Sequence, residues 1–353
     1  MTFTIQSIKF KPYRFAFHQP FKTALGTYSH RQGFMIKISD RHDEIDGYIG
    51  LGESAPLEGF GMESLAETEK TLRLFQRSLM NAKIQNVGDI EDLLVTCDRT
   101  PAAKHGLELA LLNLLAQVQN ISLSQLLVNW GKGSVRDRVP VNAVIGAIAP
   151  ELASTAAREY IAQGYRCLKI KVGTEDFGSD LQRVAAVRSQ VDQVDPHIQI
   201  RLDANQAWSV SEAIANLKEL EKTLEKKLEY LQIEYVEQPV AASDLLGMAQ
   251  VRRSQSIPIA ADESVNSLIQ LQKVIEAQAA DIIILKPMAL GGILTAYHGA
   301  AIAFNAGLDV VVTTTLDGAI ARQAAWALAA ALPIKRACGL ATGHLLAEDF
   351  SEY

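Results

Sequence analysis

Residues 167–205 read CLKIKVGTEDFGSDLQRVAAVRSQVDQVDPHIQIRLDAN. Two β-rich runs, Cys167–Val172 and Ile198–Ala204, frame this stretch, and both carry charged residues near their C-terminal ends. Side chains two apart in a strand share a face, so Lys169 and Lys171 point one way while Leu168, Ile170 and Val172 point the other. Similar runs recur roughly every 25 to 33 residues from Arg138 onward: Val139–Ile145, Leu231–Val236, Ile257–Ala261, Asp281–Lys286, Leu308–Thr315 and Cys338–Thr342. Amphipathic helical stretches such as Pro150–Gln163, Ser209–Lys227 and Gly292–Asn305 lie between most of them. Eight strand–helix units of this length predict an α/β chain whose second part closes into a parallel barrel. Near-continuous apolar runs at Asp281–Leu285 and Val310–Val312 fit strands covered on both faces. An open doubly wound sheet is the weaker alternative, because no Gly-rich phosphate fingerprint follows an early strand in this half.

The first part of the chain has another character. Phe3–Phe17 and Gly33–Ser39 alternate apolar with polar residues and predict strands. A Gly-rich loop follows at Pro56–Glu63, then helical stretches such as Ser64–Asn81. Ala102–Gln117 is apolar apart from Lys104, His105, Glu108 and Asn113, which predicts a buried helix. The polar tail, Leu345–Tyr353, is expected to pack back on this N-terminal part.

Composition bounds the function. The 353 residues are 48% hydrophobic and 21% charged, ordinary for a folded globular chain. A net charge of −6 with scattered Lys and Arg argues against nucleic acid as a partner. No apolar run reaches membrane-spanning length, and the N-terminus lacks the apolar block of a signal peptide. The three cysteines are too scattered for a disulfide framework or a zinc cluster. A cytoplasmic enzyme acting on a small molecule is expected, with homo-oligomerisation left open.

Active sites of parallel barrels sit at the C-terminal ends of the strands. There the chain places Lys169 and Lys171, then Asp203, Glu237 and Asp262 on three successive strands, then Lys286 on a strand across the barrel. Any one acid alone reads best as a helix N-cap. Three in register would repel one another unless a hard cation joined them, and oxygen ligands suit Mg²⁺. Two neighbouring ammonium groups disfavour each other's charge, so one of the lysine pair is expected to lean toward the neutral form a base requires. Asn205 shares a face with Asp203 and could meet water or substrate; Glu263 points away from Asp262 along its strand.

The series Lys-x-Lys, Asp-x-Asn, Glu-Gln-Pro, Ala-Asp-Glu-Ser and Leu-Lys-Pro resembles the enolase superfamily, in its muconate lactonizing enzyme subgroup, over essentially the whole chain. The resemblance implies a modified TIM barrel, (β/α)7β, over about 126–344, and an N-terminal α+β capping domain over about 1–125, completed by 345–353. It implies that Asp203, Glu237 and Asp262 hold Mg²⁺ (or Mn²⁺), that Lys171 and Lys286 flank a carboxylate substrate, and that Lys169 tunes Lys171. Two capping-domain loops, Phe17–Arg31 and Pro56–Ser64, would supply substrate contacts, among them Phe21, Thr23, Gly59 and Phe60. Arg201, Asn205, Thr315 and Asp317 are the substrate-contact candidates on the barrel side.

Within the subgroup, dipeptide epimerases carry Asp-x-Asp on the eighth strand; here that place reads Gly339-Leu340-Ala341-Thr342-Gly343, without an acid. The loops and the seventh and eighth strands look most like the o-succinylbenzoate synthases, which implies dehydration of a cyclohexadiene carboxylate through an enediolate. N-acylamino acid racemases and dipeptide epimerases are the alternatives.

Overall fold

A computed structural model describes residues 2–23, 26–42, 47–174, 176–225 and 233–350. The N-terminal part contains a small pair of strands, β1 (Phe3–Thr4) with β5 (Lys83–Ile84), and an antiparallel sheet of β2 (Ser7–Thr23), β3 (Gly26–Ser39) and β4 (Ile49–Ser54). Helices α1 (Leu65–Ser78), α2 (Val87–Leu94), α3 (Pro101–Val118) and α4 (Leu123–Gly131) follow. Local sequence explains their starts. Ser64 and Glu67 form a reciprocal capping box on α1, Asn86 and Asp89 do so on α2, and Pro101 opens α3.

Strand β4 escapes a reading by β-propensity because Gly50 and Gly52 interrupt it. The reason for both glycines is α3. A Cβ at Gly50 would lie 1.8 Å from Ala110 O, and one at Gly52 1.9 Å from Gly106 O, so the helix backbone lies directly on the strand. That contact makes α3 buried almost throughout, as its apolar sequence predicts, with His105 and Glu108 buried among its leucines. The segment Phe17–Arg31, expected as a loop, is instead mostly the extended β2–β3 hairpin, with a register break between Ala16 and Phe21.

The second part is a curled parallel sheet of seven strands: β6 (Ala143–Ile145), β7 (Cys167–Lys171), β8 (Gln199–Asp203), β9 (Ile233–Glu237), β10 (Ile259–Ala261), β11 (Ile282–Leu285) and β12 (Asp309–Val312). Adjacent strands in sequence are adjacent in space, and every pairing is parallel. The expected eighth strand, Cys338–Thr342, is reduced to bridges. Cys338 pairs with Val141 before β6 and Gly339 with Thr313 after β12, so this short segment touches both edges of the sheet. Glycine at 339 suits the place, since a Cβ would sit 2.4 Å from Thr313 Oγ1. Outside the strands run α5 (Pro150–Ala162), α6 (Phe177–Asp192), α7 (Val210–Glu225), α8 (Leu245–Arg253), α9 (Leu268–Glu276), the short α10 (Pro287–Leu290), α11 (Ile293–Asn305) and α12 (Ala319–Ala331). The expected start of the fourth barrel strand, Leu231 and Gln232, lies outside the described residues. Among the described residues no single helix is long and apolar enough to cross a membrane. The pair α3 and α4 passes by length and composition, but it bends by 93° and α3 is core.

Two buried glutamates join the parts. Glu53, at the end of β4, accepts from the amides of Gly318 (2.7 Å) and Ala321 (2.9 Å) at the start of α12 and from Tyr13 Oη (2.6 Å). Glu108, on α3, accepts from Leu294 N (3.0 Å) at the start of α11. Helix N-termini offer unfilled amides and partial positive charge, so a distant carboxylate can serve as the cap. After Gly343 the chain returns to the N-terminal sheet: Ala347 N donates to Ala16 O, Leu346 bridges Phe17, and Phe350 stacks edge-on against Tyr13 and Phe15.

Gly292, at φ 147°, lies under Glu108; a Cβ there would be 2.4 Å from both carboxylate oxygens. Gly292→Ala is therefore expected to destabilise the protein by about 1–3 kcal/mol in denaturant unfolding, through backbone strain and a displaced cap. Burial first, then the charge of Asp317, pushes the Glu53 carboxyl up to about 7, although Tyr13, Ala321 and Gly318 pull it down. A raised carboxyl binds its proton more tightly folded than unfolded, so its contribution is full below about 4.5 and fades as pH rises through about 7. Melting curves should accordingly show wild type losing more stability from pH 5 to pH 8 than Glu53→Gln does.

Candidate active site

Strand register sets the site. Lys171 on β7 is paired with Asp203 on β8, Asp203 with Glu237 on β9, and Glu237 with Ala260 on β10, two residues before Asp262. Lys286 follows β11, four strands from β7 in the curled sheet and so across the barrel from Lys171. One cavity is lined by Lys169, Lys171, Asp203, Asn205, Glu237, Asp262 and Lys286, together with Phe60 from the N-terminal part. The arrangement expected from the strand ends is thus brought together at one mouth.

The charges interlock. Lys169 Nζ lies 3.0 Å from Asp203 Oδ2 and 2.9 Å from Glu237 Oε1. Lys171 Nζ donates to Asp203 Oδ2 and to Asn205 Oδ1, each at 2.6 Å. Lys286 Nζ donates to Asp262 Oδ2 at 2.5 Å and sits 4.3 Å from the centre of the Phe60 ring. Asn205 also donates to Glu263 Oε1 (3.0 Å), so Glu263 supports the site from behind Asn205. Burial disfavours the charge on Lys169, yet Asp203 and Glu237 overcome it and hold its pKa well above the ordinary lysine value. The mutual repulsion expected of the lysine pair is therefore outweighed at Lys169 by two carboxylates. Burial acts on the acids too. It raises Glu237 to about 7, with the negative charge of Asp203 adding to it, and raises Asp262 despite Lys286. For Asp203, burial is outweighed by Lys169 and Lys171, and its pKa falls.

Glu237 Oε2 and Asp262 Oδ1 are buried without a hydrogen-bond partner in the protein, as is Glu263 Oε2. Buried carboxylate oxygens left unfilled are costly, and a divalent cation is the partner that hard, negatively charged oxygens suit. By donor type and by these two unfilled oxygens, Asp203, Glu237 and Asp262 fit such an ion. They do not form a ready-made cluster: among the described residues no three His, Cys, Asp or Glu stand close enough to hold a metal. The ion pairs give the reason, since each acid has turned one oxygen to a lysine ammonium.

Gln238 explains how Asp262 is aimed. Its backbone adopts φ 39°, and its Oε1 accepts from Asp262 N, Ser264 N and Ser264 Oγ, at 3.0 to 3.2 Å, fixing the turn after β10. The rest of the wall comes from Asn142, Val144, Thr313, Thr314, Thr315, Leu316, Gly339, Thr342 and Leu345. Asn142 and Val144 are absent from the sequence-based set, although their i, i+2 spacing at the first barrel strand was a usable signal. The Thr314–Thr342 hydroxyl contact (2.9 Å) has no local signal, because the two residues meet only when the sheet curls.

Several of the expected substrate contacts do not stand on the cavity wall. Arg201 shares a face with Asp203 but lies one step deeper in the barrel. Its Nε is spent on Glu234 (2.6 Å) and its Nη1 on Asn142 Oδ1 (3.2 Å) and Ala337 O (2.8 Å), and the guanidinium stacks on Tyr235. Asp317 stands behind Thr315, accepting from its amide (3.2 Å) and its hydroxyl, and is not on the cavity wall. Gly59 sits on the exposed turn Glu58–Phe60, and only Phe60 of that turn reaches the cavity. The side chains of Phe21 and Thr23 lie outside the described residues. Thr315 and Asn205 do line the cavity.

A capped parallel barrel with lysines and acids converging at the strand ends defines an enzyme of acid–base chemistry at its mouth. The chain belongs to the enolase superfamily: residues 151–352 match the family described as Enolase C-terminal domain-like, and residues 6–128 match the mandelate racemase/muconate lactonizing enzyme N-terminal domain. The L-Ala-D/L-Glu epimerase of Bacillus subtilis is 31% identical over 85% of this chain and 77% of its own. An N-succinyl-L-Arg/Lys racemase of Bacillus cereus is 30% identical over 92% and 84%. The o-succinylbenzoate synthase of Thermobifida fusca is 41% identical, over 61% of this chain and 63% of its own. A dipeptide epimerase of Enterococcus faecalis, solved with Mg and a dipeptide, superposes with a TM-score of 0.86 at 29% identity, covering 98% of this chain and 92% of that one.

Asp203→Asn should lower Mg²⁺ affinity at least about tenfold in calorimetry while leaving the fold intact by circular dichroism. Unchanged affinity would remove Asp203 from the metal set.

Proposed function

We propose that the chain is an o-succinylbenzoate synthase, a lyase that removes water from 2-succinyl-6-hydroxy-2,4-cyclohexadiene-1-carboxylate in menaquinone or phylloquinone formation. One observation carries the choice. Every carboxylate on the described cavity wall, Asp203, Glu237 or Asp262, is paired with a lysine. The facing wall, from Thr313 to Leu345, offers only hydroxyl and apolar groups. A dipeptide brings an ammonium group that needs a buried counter-charge, and none is free there. The diene substrate brings no ammonium group; both of its charges, the ring carboxylate and the carboxylate ending the succinyl chain, are negative and need no counter-anion. The closer identity of the synthase relative, over a shorter span, supports the same reading.

Asp203, Glu237 and Asp262 would hold Mg²⁺ (or Mn²⁺), which when bound supplies the positive charge that stabilises negative charge building on the substrate carboxylate. Lys171, within the cavity and held by Asn205, takes the proton from the carbon bearing the carboxylate. The electron pair released expels the neighbouring hydroxyl, which takes up the proton from Lys171 and leaves as water. The C–H and C–O bonds break, a C=C bond forms, and aromatisation makes the step downhill. Lys169, cationic between Asp203 and Glu237, fixes the position of Asp203 beside Lys171. Lys286 places a positive charge on the opposite side of the ring.

A second reading rests on the placement of Lys171 and Lys286 on opposite sides of one cavity, which also suits two-base racemisation of an N-acylamino acid, a substrate without an ammonium group. Loss of diene absorbance with the synthase substrate, abolished by EDTA, is the expected result. Lys171→Ala should lower that rate by about 10²–10⁴-fold or more with the fold kept. No turnover of the diene, together with α-deuterium exchange and inversion of an N-succinyl amino acid in D₂O, would overturn the synthase reading in favour of the racemase.

A further inference from the structure

The lysines and acids of the proposed reaction stand on barrel strands or directly after them, and much of the rest of the cavity wall is carried by loops. One side chain that takes no part in the chemistry ties two of these loops to each other and to the short helix α10. Arg31, on β3, is 2% exposed. Its Nε donates to Leu316 O (3.2 Å), its Nη1 to Pro56 O (2.8 Å) and its Nη2 to Ala55 O. Nη2 also lies 3.8 Å from Asp317 Oδ1 and 3.9 Å from Met288 Sδ.

Each partner leads to a cavity residue. Ala55 and Pro56 run into the turn that presents Phe60. Leu316 lines the cavity beside Thr315, whose hydroxyl donates to Asp317. Met288 lies two residues beyond Lys286, the amine that Phe60 covers. A buried guanidinium is costly unless its donors are filled, and its planar fork fixes the directions in which they are filled. The three carbonyls therefore cannot drift apart without leaving donors unmet. Asn266 Nδ2 gives the Phe60 turn a second hold on the barrel, through Phe60 O at 3.0 Å.

We propose that Arg31 is a positioning residue for substrate binding, a clamp that fixes Phe60, Thr315 and Leu316 over the barrel mouth by tying the capping-domain loop to the barrel loops. The inference rests on this cavity being the substrate site of the reading above. It places the determinant of cavity shape on the capping domain, remote from every reacting atom. Arg31 then acts on binding rather than on the chemical step, which belongs to groups on rigid strands.

The test compares Arg31→Gln and Arg31→Lys with wild type in the full chain. Hydrogen exchange should accelerate about tenfold or more in Arg31→Gln at the amides of Phe60, Gly61 and Thr315, which are bonded to Leu57 O, Glu58 O and Asp317 Oδ2, with β8 and β9 unchanged. KM for the diene carboxylate should rise about tenfold while kcat stays within about threefold, and Arg31→Lys should fall between. Should Arg31→Gln fail to fold, Arg31→Lys carries the same readouts. Unchanged exchange at the three amides, or a uniform acceleration that includes β8 and β9, overturns the clamp. The exchange measurement needs no substrate, so a wild type inactive on the diene would count against the synthase reading alone.

Discussion

A charge taken out of water must find a partner, and this requirement organises the protein from its barrel mouth outward. Lys169, Lys171 and Lys286 are matched against Asp203, Glu237 and Asp262 in a space where an unpaired ion would cost several kcal/mol. The matching is incomplete in a directed way. Every lysine is satisfied, yet Glu237 and Asp262 each keep one buried oxygen without a partner, and those oxygens belong to the acids suited to a divalent cation. On the proposed reading, the same groups that make the cavity expensive to build serve carboxylate chemistry, because the charges are fixed before substrate arrives.

The requirement extends to the joint between the two parts of the chain. Glu53 and Glu108 are buried carboxylates of the N-terminal part, and each is satisfied by helix amides of the barrel. Asp349 adds a third such contact, accepting from Ala319 N. Arg31 reverses the polarity, a buried cation of the N-terminal part satisfied by carbonyls on both sides. A joint built from buried polar groups is specific in geometry, since displacement leaves several of them unmet at once. That specificity suits a cavity whose wall is shared between the parts, with Phe60 from one and Thr315 and Lys286 from the other.

The similar proteins carry the names of different reactions, epimerase, racemase and synthase. On the proposed reading, discrimination among them falls to the wall facing the lysines and acids. Hydroxyls at Thr313, Thr314, Thr315 and Thr342, with Leu316 and Leu345, make a surface that offers no counter-charge to an ammonium group.

By itself the sequence determined the repeating strand–helix order and the strand-end residues that line the cavity. Both are local: a period-2 pattern decides which side chains share a face, and strand ends fall where apolar runs stop. Lys169, Lys171, Asp203, Glu237, Asp262 and Lys286 were legible for that reason. The glycine-broken strand β4 was not, because its glycines answer to a helix more than fifty residues away. Arg201 and Asp317 have the polarity and position of site residues, and only the three-dimensional packing shows that other partners claim them. The closing of the barrel by Cys338 and Gly339, the Thr314–Thr342 contact and the reach of Arg31 across two loops and α10 were likewise decided by tertiary structure. Each joins groups far apart in the chain, and no local periodicity encodes which distant group will fill a given donor.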